Sequence, residues 1–511
     1  MSLTDTTLEQ TQKALRSNLK TVLVVAPAGC GKTYEACSYA LEAATGLAPD
    51  RRVLFLAHTN AAVTEFRRRT RKQTHSAQAS TIDAFCLELL APYAERLGLP
   101  VPLHSNVGTG AGSVRFSALA EHSAALLARC PSIASMYACK YPVIILDEHQ
   151  DASTAQHKAI MRIVESGSTK LRIFADRMQA IYGDEASSLV PWQTIEAASE
   201  CRVELTIPQR WQKSGSSSGL GVWILEARNR LEHGYSLPSI TPGCCVRFHP
   251  IDVEDFGFRP RIDGPVNKCL RSLLNRYKGS LAVVGWLKAQ AYQLQIGGRG
   301  RLALNEGADF DEAQSALESF EKKAGKPQAL ALAVVKLFSK SKCGVTSARL
   351  NMIKAAIGRA ELNLTGINEV GCLIEQLRPL YSTPDAGTAC GVVRAILNSP
   401  PDWLTIRTPD CFSLLGQVST ADGVPCSEVL RQLIMQRKFR TSRRQRIAST
   451  IHKSKGLEFD HVIVTNFGAT HFADTEDRRM LAYVAVSRAC RTLDILVPAR
   501  TPSPLLPSNL A

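Results

Sequence analysis

The sequence predicts an α/β chain with two parallel-sheet blocks, each interrupted by a mainly helical insertion. Three observations predict it. A five-residue apolar run, Thr21–Val25, opens directly into the glycine loop Ala-Pro-Ala-Gly-Cys-Gly-Lys-Thr at 26–33. A second apolar run, Val143–Leu146, ends in the acids Asp147 and Glu148. Between and beyond these, short strand-like runs alternate with stretches of helical periodicity, as parallel sheets require.

The first block covers 1–90 and 140–210. Its glycine loop lies where a buried strand gives way to a helix, and Gly29 and Gly31 let the backbone turn its N–H groups inward onto phosphate oxygens. The loop residues Ala28, Gly29, Cys30, Gly31, Lys32 and Thr33 are therefore candidates for holding a nucleoside triphosphate. Lys32 reaches the β- and γ-phosphates, and the Thr33 hydroxyl holds Mg²⁺ at a helix N-terminus whose dipole favours the anion. Asp147 is expected to share that Mg²⁺, and Glu148 to orient and deprotonate the attacking water. The interruption at 91–139 contains a glycine-rich loop, His104–Ser113, then an alanine-rich helical stretch from Phe116 to Ala138.

The second block covers 211–298 and 440–511. It opens with a stretch read as flexible, Lys213-Ser-Gly-Ser-Ser-Ser-Gly-Leu-Gly221, and shows strand signals at Ser280–Trp286, Ile447–Thr450, Asp460–Thr465 and Thr492–Val497. Its insertion, 299–439, is helical in period, as in Ala329–Phe338. No internal repeat is present.

Composition narrows the partners. Lys and Arg number 61 against 46 Asp and Glu, a formal charge of +15, and the pI is about 9.2. In a nucleotide-binding chain that excess points to a polyanion, most simply nucleic acid. Two basic runs, Arg67–Lys72 and Arg437–Arg446, either grip backbone phosphates or form solvated faces. The 15 cysteines include no CxxC pair and no metal-ligand spacing, which reads as buried thiols in a reducing cytoplasm. No apolar stretch reaches the ~18 residues of a membrane span, and the polar N-terminus is not a signal peptide.

Further motifs, in order, resemble the UvrD/Rep-like superfamily 1 DNA helicases. Leu8–Gln12 resembles the family's glutamine motif, in which Gln12 would pair with the adenine edge. Leu56–Phe66 and Ala79–Cys86 resemble DNA-contact motifs. Phe174–Gly183 is similar to the motif whose glutamine, here Gln179, senses the γ-phosphate. Leu205–Trp211 resembles the segment supplying one arginine finger, Arg210. Thr450–Phe459 and Arg478–Ala489 are similar to the last two motifs, with Arg488 as second finger. The resemblance implies two RecA-like P-loop NTPase domains closing on ATP, with Gly456 and Glu458 adding nucleotide contacts. It also implies 3′→5′ movement on single-stranded DNA and unwinding of duplex. Thr59, Asn60 and His452 are the implied strand contacts.

Four departures qualify the resemblance. Gln209 stands where relatives carry a tyrosine that stacks on adenine, which leaves Trp211 as a substitute and loosens ATP preference. The aromatic expected soon after Tyr182 is absent; Trp192 either replaces it on the DNA or fills a core. His58 replaces a phenylalanine and either stacks on a base or takes a capping or solvent-facing role. His149 replaces an aromatic in the acidic motif and carries no expected chemistry.

Because the sequence ends soon after Arg488, no fused nuclease is expected. Two readings stand: a translocating repair helicase, or a DNA-stimulated NTPase serving as sensor or regulatory subunit beside a separate nuclease. Anti-phage systems of the Gabija type have such a two-gene arrangement with a small UvrD-like subunit.

Overall fold

The computed structural model describes residues 3–70, 76–105, 107, 114, 116–181, 189–213, 218–241, 243–253, 264–299, 301–305, 310–340, 345–358, 370–404, 409–418, 425–430, 433 and 446–507. The chain divides into two compact units: Met1–Glu306 with Arg443–Ala511, and Gly307–Ser442. The first holds two sheets, each of six strands among the described residues.

The first sheet comprises β1 (Thr21–Val25), β2 (Val53–Ala57), β3 (Ala77–Thr81), β4 (Val143–Leu146), β5 (Lys170–Ala175) and β6 (Cys201–Glu204), in the order β3-β2-β4-β5-β1-β6. Every pairing is parallel; Thr21 faces Leu171, and Val53 faces Val143. A parallel sheet is covered by helices on both faces, so its central strands read as unbroken apolar runs. β1, β2 and β4 are buried along their whole length. β1 lies between β5 and β6, while the next strand in sequence joins β3 and β4. The loops after β1 and β4 thus emerge at the carboxyl edge beside a switch in strand order, where open α/β sheets bind ligands.

The alanine-rich stretch forms two helices, Phe116–Arg129 and Pro131–Lys140. Pro131 opens the second, as its missing N–H is harmless at a first helical position. Leu119, Leu126 and Leu127 enter the same core as Ile144 and Ile173 of the sheet.

The second sheet comprises β7 (Val246–Ile251), β8 (Leu281–Gly285), β9 (Ala303–Leu304), β10 (Arg446–Thr450), β11 (Phe459–Val464) and β12 (Ala489–Pro498), in the order β7-β12-β11-β8-β10-β9, again all parallel. Helix Glu476–Val486 packs beneath it with Tyr483, Val484 and Val486 fully buried.

The glycine-serine stretch is not a loop throughout: Ser218–Glu232 is one helix. A Cβ on Gly221 would lie 2.9 Å from Trp211, and one on Gly219 would lie 2.9 Å from the Gly243 carbonyl oxygen. These glycines permit close packing, which composition alone does not distinguish from flexibility. All described cysteines are free thiols, and Cys139 and Cys372 are exposed, contrary to the expected burial.

The second unit is helical among its described residues. Phe310–Glu321, Pro327–Lys340, Ser347–Ile357, Ala386–Asn398 and Pro409–Gln417 close on a core of their own, where Phe338 stacks on Phe412 at 4.5 Å.

Candidate functional site

The glycine loop takes the conformation its residues allow. Gly29 and Gly31 hold φ of 78° and 87°, in the left-handed region that disfavours side chains, and Gly31 caps helix Lys32–Ala44. Beneath the loop lies Trp211, 1% exposed, so close that a Cβ on Gly29 would stand 2.6 Å from its ring. The indole N–H donates to the Ala489 carbonyl at 2.9 Å. Trp211 is therefore a floor for the phosphate loop, and the expectation that it replaces the adenine stack is overturned: its faces are spent on protein. The Ala28 N–H donates to the Tyr483 hydroxyl at 2.9 Å, joining the loop to the helix of the last motif. Cys30 is buried beside the loop, and burial pushes its thiol up to about 12.

Lys32 is 8% exposed and forms an ion pair with Glu148. Burial alone would lower its pKa, but the Glu148 and Asp147 carboxylates outweigh it and raise the value. The Thr33 hydroxyl lies 3.4 Å from Asp147 Oδ2. The neighbouring acids are driven apart. Burial raises Asp147, whereas Lys32 and Lys455 overcome burial at Glu148 and hold it low. Glu148 sits at φ 55°, a left-handed backbone rare outside glycine, and its carboxylate accepts from Gln150.

Gln150 also accepts from the Asp176 N–H at 3.1 Å, and Asp176, wholly buried, accepts from Gln179 Nε2 at 2.8 Å. Arg228 completes the group, with Nη2 2.9 Å from Asp176 Oδ1. Gln179 Oε1 in turn accepts from Arg488 Nη2 at 3.4 Å. Arg488 is 2% exposed, donates to the Val484 carbonyl and the Ser487 hydroxyl, and is lowered to about 10 by burial and by Arg210. Arg210 donates to the Ser487 carbonyl and to Glu458, both at 2.6 Å. Lys32, Asp147, Glu148, Gln179, Arg210, Arg488 and Glu458 are thus linked across the seam between the two sheets. Gly456, at φ 78°, is exposed two residues before Glu458.

Gln12 is half-buried beside the loop's helix, with Nε2 3.3 Å from Glu35 Oε2. Thr59 and Asn60 are exposed at the start of helix Asn60–Thr70, where the Thr59 hydroxyl accepts from the Ala62 N–H at 3.2 Å. His58 is half-buried, and its Nε2 is shut from solvent without a hydrogen-bond partner among the described residues. Burial, then Lys455, pushes its pKa down to about 4. His149 is fully buried against His157, with ring nitrogens 2.9 Å apart. Trp192 opens helix Trp192–Ala197 half-buried on the first sheet's core. His452 Nε2 lies 3.0 Å from the Ile181 carbonyl oxygen, and its ring meets Trp286 edge-on at 5.9 Å.

In the basic runs, Arg67 donates to the Ala79 carbonyl, and Arg68 and Arg69 pair with Glu65. Arg446 donates to the Leu274 and Tyr277 carbonyls, which is neither of the roles expected for it. Arg71, Lys72, residues 437–445, and Tyr182 with the positions just after it lie outside the described residues.

Residues 10–185 match a family model described as an AAA domain, and residues 447–495 match one described as a UvrD-like helicase C-terminal domain. The first match spans the phosphate loop and the acidic strand end; the second spans β10 to β12. Together the two matches make the chain similar to the UvrD/Rep-like helicases and support that reading of it. Its two sheets are those of RecA-like domains. No curated protein matches it. Among the described residues, no helix is long and apolar enough to cross a membrane.

Sequence reasoning passed over several residues that organise the seam. Lys455 places its ammonium 2.6 Å from Asp151 Oδ2, both side chains 7% exposed, and also donates to the Gln179 carbonyl. Lys455 stands inside the quoted segment Thr450–Phe459, and Asp151 lies three positions beyond Glu148, so the signal was present without a role attached. Arg228 and Tyr483 carried less: one is an arginine in mid-helix, the other a tyrosine inside a motif read for its arginine.

Proposed function

We propose that this helicase hydrolyses ATP, with Mg²⁺, at the seam between its sheets and is stimulated by single-stranded DNA, along which it moves 3′→5′. The observation that carries the proposal is the linked set Lys32–Glu148–Gln150–Asp176–Gln179–Arg488, which ties the phosphate loop and acidic motif of one sheet to the last motif of the other.

Lys32 is neutralised by Glu148, so an incoming γ-phosphate exchanges one anion for another on the ammonium. Glu148 is then released from Lys32 to accept a proton from the attacking water. The Thr33 hydroxyl and Asp147 carboxylate, hard oxygen donors of the kind Mg²⁺ takes, would hold that ion, which would neutralise phosphate charge when bound. Arg210 and Arg488 meet the charge that develops on the transferred group, and Gln179 joins that group to the seam. Gln12, Gly456 and Glu458 contact the nucleotide beyond the phosphates. Thr59 and Asn60 offer exposed polar groups to a strand. His452, bound to the Ile181 carbonyl across the seam, couples strand binding to closure.

The half-buried packing of Trp192 on the first core favours the second reading, in which turnover reports bound DNA while unwinding is weak, as in a regulatory subunit beside a separate nuclease. An NTPase assay run beside strand displacement of a 3′-tailed duplex separates the two. Stimulated turnover with displacement supports translocation; stimulated turnover without it supports the sensor. Turnover indifferent to DNA overturns both.

A further inference from the structure

His58 holds a ring nitrogen, Nε2, that is shut from solvent and has no hydrogen-bond partner among the described residues. A buried polar atom left unpaired is costly, so one that persists calls for a reason. The sheet brings a partner opposite it. β2 and β4 are neighbours in parallel register: Leu56 pairs with Leu146, and the Asp147 N–H donates to the Leu56 carbonyl at 2.9 Å. Two positions beyond that last pair come His58 on one strand exit and Glu148 on the other. The register thus places His58 at the carboxyl edge beside the residue read as the general base.

Lys455, Glu148 and His149 lie close enough to the ring to act on its charge. Burial, then Lys455, lowers its pKa to about 4 while Glu148 pulls the other way, and His58 in turn helps to lower His149. Two of these neighbours are already engaged. Lys455 pairs with Asp151 and donates to the Gln179 carbonyl, and His149 Nε2 lies 2.9 Å from His157 Nδ1. Glu148 is the one whose partner changes. Its Oε1 is paired with Lys32, and its Oε2 accepts from Gln150. An incoming γ-phosphate takes over Lys32 and leaves Oε1 bare, while Gln150 stays in place.

We propose that His58 is a positioning residue that receives the Glu148 carboxylate once nucleotide displaces it from Lys32, donating Nε2–H to the freed Oε1 while Gln150 keeps Oε2. The proposal rests on the nucleotide reading above. A neutral imidazole carries one N–H, which orients a carboxylate without re-forming the ion pair that the phosphate has just broken. Without that donor the freed carboxylate is hydrogen-bonded by water in any orientation. His58 therefore sets where the base points more than how tightly nucleotide binds.

The test is ATP turnover of the full chain with saturating single-stranded oligonucleotide, for wild type, His58→Phe, His58→Gln, Glu148→Gln and His58→Phe combined with Glu148→Gln. Single-turnover phosphate release serves for the slow variants, and fluorescence anisotropy gives oligonucleotide affinity. His58→Phe keeps a ring and loses the N–H; kcat is expected to fall by about tenfold or more while KM stays within about threefold. His58→Gln puts an amide N–H near the place of Nε2 and should bring kcat back to within about threefold of wild type. In Glu148→Gln the base is already gone, so adding His58→Phe should cost less than about twofold more. Oligonucleotide affinity should stay within about twofold throughout. The proposal is overturned if His58→Phe turns over at the wild-type rate, or if it costs as much in the Glu148→Gln background as in wild type. It is also overturned if His58→Gln fails to restore kcat, which would make ring packing the role, or if His58→Phe weakens oligonucleotide binding with kcat retained, which would make the ring a strand contact. The nucleotide reading fails differently: wild type would show no turnover above background, and this proposal would fall with it.

Discussion

Replacing Glu148 with glutamine separates the two tasks that the proposed mechanism gives it. The amide keeps the shape of the side chain and its contact with Gln150 but cannot take a proton or neutralise Lys32. Turnover is expected to fall by about 10²–10⁴-fold, the usual contribution of a positioned general base. Binding should move the other way. At contact distance and an effective permittivity near 20, the Lys32–Glu148 attraction is roughly 5 kcal/mol. Desolvation of both groups offsets most of it, leaving about 1–2 kcal/mol that a nucleotide must displace. With that competitor gone, nucleotide affinity should rise about five- to thirtyfold. The assay pairs steady-state phosphate release with equilibrium binding of a non-hydrolysable analogue. Near-normal turnover would refute Glu148 as the base; weaker binding would refute the exchange of Glu148 for phosphate on Lys32.

Arg488→Gln should cut the DNA-stimulated rate by at least tenfold, in line with the effect of a lost transition-state donor, while changing nucleotide affinity little; comparable losses in both would make the residue a ground-state contact. Gly29→Ala forces a side chain into a left-handed backbone and into the Trp211 ring, so the denaturation midpoint should drop by an amount equivalent to about 2 kcal/mol or more. Arg228→Ala leaves the wholly buried Asp176 without its cation and should cost about 3–5 kcal/mol of stability by urea unfolding, with Asp176→Asn milder. His452→Ala should lessen stimulation by DNA and leave the rate without DNA nearly unchanged; equal loss of both would make His452 structural.

The parts of this molecule that were legible in sequence are those where physics permits few residue types. β1 and β4 are covered on both faces, so nothing but apolar side chains fits them, and their runs stand out. The phosphate loop needs left-handed turns, so Gly29 and Gly31 announce it. Trp211 was misread because the residues packed on it include Gly29 and Ala489, both far from it in sequence, as well as the nearby Gly221. Gly219 and Gly221 were misread for the complementary reason: a glycine that admits a neighbour looks the same as one that frees a loop. The Lys455–Asp151 pair spans 304 positions, and no local pattern joins two charges at that distance. Arg228 reaches Asp176 across 52 positions from a helix whose other face is ordinary.

The central claim is that DNA drives hydrolysis by closing the seam on the nucleotide. It is tested most directly by the steady-state ATP turnover of the full chain with and without a single-stranded oligonucleotide, titrated to saturation. The account predicts a rise of about tenfold or more, equivalent to about 1.4 kcal/mol of barrier, that Lys32→Ala abolishes. A wild-type rate that is already maximal without DNA, or that DNA leaves unchanged, would contradict it.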